Sequence, residues 1–150
     1  MITKSFSGSE KDSAARLDDA RSSAASILFL LLHALVLWLL CGATMALGRA
    51  AFGIGTALIV HLFAAPVLAG LVSYHYFRRR DAARPLTAAL AFLGFVAAGD
   101  AGIVAPVFEK SYIMFRSVIG IWLPFLLIFL STFAVGTLLH RAKDRSASPD

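Results

Sequence analysis

Cysteine is nearly missing from this sequence. The single one, Cys41, rules out an internal disulfide and any metal site built from thiolates. Leu40 precedes it, where a lipid-attachment signal wants a small residue, so Cys41 reads as a small buried thiol. The usual marks of catalysis are missing too. No G-x-S-x-G, no phosphate-cradling glycine loop and no Walker lysine occurs. No nucleophile stands near a base, and no His, Asp or Glu pair is spaced i,i+3 or i,i+4 within an apolar run, so no metal site is expected. These absences argue against an enzyme, and no cofactor is expected.

Charge is also absent where it would be needed for solubility. Four windows, 27–47, 53–76, 86–107 and 117–139, are each long enough to cross a hydrocarbon core, which takes ~20 residues. Three of them contain no Asp, Glu, Lys or Arg, and the third in order contains only Asp100. A soluble bundle would need a polar stripe on every helix, and none is present. The fold class expected is therefore all-α: an integral membrane four-helix bundle occupying residues 26–140. Residues 1–25, with four acids, four bases and many Ser and Ala, read as a mobile cytoplasmic tail. Residues 141–150 read as a second polar cytoplasmic tail. The first apolar run, 21 residues long, exceeds a signal-peptide core of ~7–15 and fits an uncleaved signal-anchor.

The net charge of +5 does not point to nucleic acid, because its placement follows a membrane pattern. Lys4, Lys11, Arg16 and Arg21 precede the first run, and Arg141, Lys143 and Arg145 follow the last. Arg78, Arg79, Arg80 and Arg84 crowd the second connection, while the first has only Arg49. By the positive-inside bias both termini and the middle connection are cytoplasmic. The four arginines of that connection are expected among anionic lipid headgroups. The Ala-rich, Arg-bearing composition suggests a bacterial inner membrane.

Prolines are few, and three fall within apolar runs: Pro66, Pro106 and Pro124, of which Pro66 and Pro124 are expected to bend their helices. Gly94, Ala98 and Gly102 recur every four residues, the small-xxx-small pattern of close helix packing. Phe108, Tyr112 and Phe115 at helical spacing, followed by Trp122, suggest an interfacial turn that touches headgroups or a partner chain.

Asp100 is the one acid inside an apolar run. Counted from the outer surface, His61 lies ~11 Å down and Asp100 ~10 Å down, so the two are expected at one level. Arg116, at the outer end of the fourth run, would reach toward the same carboxylate. His33 is expected half a membrane from His61, which excludes a haem held by those two.

Two functions fit. The first is a non-catalytic accessory, assembly or scaffold subunit in which Asp100 is a satisfied polar tie. The alternative is a small oligomeric proton- or ion-coupled transporter or pore built around Asp100 and His61. Either way the partners expected are the lipid bilayer and another membrane subunit or a second copy of the chain.

Overall fold

A computed structural model describes residues 3–80, 83–112, 116 and 118–147. All the regular structure among these residues is helical, with no strand. Three helices run in order: α1 (Thr3–Arg79), α2 (Pro85–Gly99) and α3 (Leu123–Ala147). Two π-helical segments, Asp100–Glu109 and Val118–Trp122, sit between α2 and α3. Three stretches are long and apolar enough to cross a membrane: Arg16–Arg79, Pro85–Glu109 and Gly120–Ser146.

Four helices were expected and three are found. The first two expected runs belong to one helix, because a single residue makes the turn between them. Gly53 has φ 79° and ψ 171°, with helical geometry on both sides. That region of backbone space is open only to glycine. No loop is therefore needed between residue 47 and residue 53, where the sequence suggested one.

The chain divides into two units, Met1–Leu30 and Leu31–Asp150. Within the first, residues 16–25 are helical and exposed, and Ser26 donates to the Ser22 carbonyl at 2.8 Å. The second unit contains the bundle. Its residues 31–52 and 54–79 form two arms that fold back on one another at Gly53. A Cβ on Gly48 would lie 3.0 Å from that of Ala57, and His33 hydrogen-bonds His75 at the far end. At 1.5 Å per residue each arm is ~33–39 Å long, enough for a hydrocarbon core of ~30 Å.

The arms bury narrow stripes. On the first these are Ala34, Leu37 and Cys41; on the second, Ala57, His61, Ala65, Ala69 and Tyr76. Spaced at helical intervals and mostly small, these side chains let the backbones approach closely. The second arm also meets α3, where Ser73 Oγ donates to Thr132 Oγ1 at 3.0 Å, both side chains fully buried. Gly136 makes room there, since a Cβ would come within 2.6 Å of Phe77 and 2.9 Å of Pro85.

Arg84, held extended before Pro85, caps α2, and its carbonyl accepts from Ala88 N–H at 3.1 Å. Ala88, Ala89, Phe92 and Val96 face inward, as do Ile121, Phe125, Ile128 and Thr132 further on. Pro106 lies inside the first π-helical segment, and Pro124 is the second residue of α3, just past the second segment. A proline removes the N–H that the carbonyl one turn back would receive. Widening the helix lets other donors reach the carbonyls in that turn. Lys110 ends the first segment in the left-handed conformation (φ 49°), and its N–H and that of Ser111 both reach the Ala105 carbonyl.

The turn at Gly53 is directly testable. Gly53→Ala should destabilise the bundle by about 1–3 kcal/mol, the cost of forcing an L residue into that region. Gly55→Ala, at a helical site with nothing within 4 Å of the new methyl, should be neutral or stabilising. Thermal melting of both variants in detergent micelles separates the two outcomes.

Candidate functional site

Asp100 begins the first π-helical segment and is partly buried. Its Oδ1 accepts a hydrogen bond from Trp38 Nε1 at 3.0 Å, a bond between the first arm of α1 and the third apolar run. The adjacent Gly99 is what lets the indole in. A Cβ at that position would stand 2.7 Å from Trp38 Nε1 and 2.8 Å from Trp38 Cε2. Asp100 is thus tied to its own chain by a donor that the depth argument did not consider.

His61 is buried, on the second arm, and its Nδ1 has no hydrogen-bond partner among the described residues. The structure joins it to no acid, for a reason of register. Gly48 stands against Ala57 and His33 against His75, so facing positions lie about equally far either side of Gly53. His61 then falls near the level of Met45, whereas Trp38, which reaches Asp100, is about seven residues or ~10 Å away along the axis. The third run also continues to Glu109 rather than stopping at 107, which sets Asp100 deeper than the sequence count placed it. Arg116 is exposed. Glu109 instead forms an ion pair with Arg49 at the hairpin end of the bundle.

The remaining expected contacts lie mostly on the outside. Gly94, Ala98 and Gly102 are exposed, and a Cβ on either glycine would meet nothing within 4 Å. Phe108, Tyr112 and Trp122 are exposed. Phe108 lies in the last turn of the π-helical segment and Tyr112 lies beyond its left-handed cap, so no continuous interfacial helix joins them. Phe115, expected beside them, lies outside the described residues. Arg78, Arg79 and Arg84 are exposed and Arg80 half-buried, with Arg78 Nη1 donating to Tyr74 Oη at 3.4 Å.

One constellation was not foreseen. His33 Nε2 and His75 Nδ1 are 3.1 Å apart in a hydrogen bond, with their rings stacked at 5.3 Å and 22°. Tyr76 packs edge-on against His33 at 5.6 Å and against Phe92 at 5.7 Å. Phe77 continues the ring contacts to His140, whose Nε2 is buried without a hydrogen bond among the described residues. The sequence did carry a signal: His33 and His75 are nearly equidistant from Gly53. That spacing gains meaning only once the turn is known to fall at Gly53 alone. Among the described residues, no three His, Cys, Asp or Glu side chains gather as a metal would need.

Trp38 and Asp100 should show energetic coupling. Trp38→Phe strands the carboxyl and should cost about 1–3 kcal/mol. In a cycle with Asp100→Leu the two losses should fall short of additivity by about 0.5–3 kcal/mol. Gly99→Ala should reproduce most of the Trp38→Phe loss by displacing the indole. Denaturant unfolding in mixed micelles measures all three. No protein-family model, curated protein or solved structure matches this chain.

Proposed function

We propose that this chain is a four-crossing integral membrane protein with both termini cytoplasmic, serving as a non-catalytic accessory, assembly or scaffold subunit of a bacterial inner-membrane complex. The two arms of α1 run antiparallel, each long enough to cross. With the runs through α2 and α3 they make four passages. Arg78, Arg79, Arg80 and Arg84 follow the second passage, and Arg141, Lys143 and Arg145 the fourth. At the opposite end the sparse charge is partly cancelled, Arg49 being paired with Glu109. That asymmetry supports the orientation.

The observation that carries the subunit reading is the uncovered face of the third passage. Asp100 and the core residues of α2 engage this chain, whereas Gly94, Ala98 and Gly102 are exposed and a Cβ on either glycine would have nothing within 4 Å. A face of small residues in lipid favours the close approach of another helix over acyl chains. Exposed Phe108, Tyr112 and Trp122 extend the contact surface at the same end. The helix received there belongs to another subunit or to a second copy of the chain.

The second reading, an oligomeric proton- or ion-coupled transporter or pore, is favoured by one observation. The buried Nδ1 of His61 has no hydrogen-bond partner among the described residues, and such a group is expensive to keep unless it is used. The internal bond from Trp38 to Asp100 weighs against it, because the carboxyl is already committed to a structural contact.

Asp100→Asn separates the two. The subunit reading expects lower abundance and weaker co-purification of the partner, since a carboxyl bond to Trp38 is traded for an amide one. The transporter reading expects unchanged abundance with proton-coupled flux abolished. Reporter fusions after residues 50, 82, 112 and 150 should read outside, inside, outside and inside in that order. Any other pattern removes the four-crossing topology.

A further inference from the structure

The His33–His75 pair stands at one end of a groove between the two arms of about 410 Å³, lined also by Leu32, Val36, Leu71 and Val72. That volume is within the range of ligand clefts, ~300–1,000 Å³. Val36 and Val72 lie about one turn nearer Gly53 than the histidines do. The groove therefore runs from an imidazole pair into walls that are wholly apolar.

The gradient continues in the other direction along the second arm. Arg79 follows His75 by four residues, on the same face of the helix, and is exposed. Arg78 beside it lies over the Tyr74 ring at 5.6 Å. Read along this face, Leu71 and Val72 give way to an imidazole and then to guanidinium groups. An occupant matched to that order has an apolar chain and an acidic head.

The imidazoles suit such a head. When His33 Nε2–H donates to His75 Nδ1, the His75 tautomer carries its hydrogen on Nε2, where it is a donor. His75 is exposed and His33 is buried beneath it against Tyr76. His33 is thus a positioning residue: it holds the ring of His75, and as the donor it leaves the His75 hydrogen on Nε2. A phosphodiester, which only accepts, finds a donor in His75 and a charge partner in Arg79. In a bilayer an open apolar groove is filled by what surrounds it, and acyl chains surround this one.

We propose that this groove is a binding site for one anionic phospholipid, its acyl chain between Leu32, Val36, Leu71 and Val72 and its phosphate at His75 and Arg79. The inference rests on the bilayer placement proposed above. It goes beyond a general attraction of the arginine cluster to headgroups, because it assigns one lipid to one face.

The experiment uses the full chain reconstituted into phosphatidylcholine vesicles containing a phosphatidylglycerol with a photoactivatable acyl chain. Cross-linked peptides should concentrate in 32–36 and 71–79. Labelling spread evenly over all apolar runs, or reproduced equally by a photoactivatable phosphatidylcholine, overturns the proposal. So does displacement of the bound lipid by inorganic phosphate, which would make the site one for a soluble anion. In native mass spectrometry from mild detergent, Arg79→Gln should lower retained phosphatidylglycerol about fivefold. His33→Leu should lower it as well, and Arg145→Gln should leave it unchanged. Equal loss with Arg145→Gln also overturns the proposal. The labelling of the unaltered chain decides the matter if a variant fails to fold. The reporter fusions test the bilayer placement separately, so an intact four-crossing topology with even labelling sinks this inference alone.

Discussion

The backbone at Gly53 is the constraint from which most of the bundle follows. With φ at 79° and ψ at 171°, the chain reverses across one residue while helical hydrogen bonding persists on either side. A turn this tight leaves no freedom to slide one arm along the other. It fixes Gly48 against Ala57 at the near end and His33 against His75 at the far end. A longer loop could hold several registers, each with different facing pairs. Here the register decides which polar groups meet, as His33 with His75 and Trp38 with Asp100.

The same logic explains why Asp100 finds Trp38. An acid in an apolar run needs a donor at its own depth, and the register of the first arm brings an indole there. The approach is possible only because the preceding residue has no side chain to block it. The helix widens at this point and stays widened past Pro106, and a second widening stands before Pro124. Two prolines that would break a regular helix are thus absorbed by a change of helical pitch. A left-handed lysine closes the first of these segments.

Much of the fold was legible in the sequence because it rests on composition. Long runs without charge make helices, and spacings of three and four residues mark their inner faces, as at Ile121, Phe125, Ile128 and Thr132. The break between windows 27–47 and 53–76 was visible, though not that Gly53 alone would make the turn. The candidate site was less legible. Asp100 stood out as the one acid in an apolar run, yet counting depth from span ends cannot resolve one turn. The ends themselves were misjudged by a few residues at Glu109. Trp38 escaped notice because an indole within an apolar run looks like filler. The His33–His75 pair escaped for the opposite reason, since an imidazole among tyrosines and arginines looks like surface.

The one-residue reversal also bears on the order in which the molecule comes together. Everything between residues 31 and 79 closes on contiguous chain, so the hairpin can zip from Gly53 outward with little loop entropy to overcome. The bonds from Trp38 to Asp100 and from Ser73 to Thr132 span 62 and 59 residues and wait for later segments. During synthesis the amino-terminal half would emerge with its own contacts already formed. The second half would then arrive on a finished template rather than search for one.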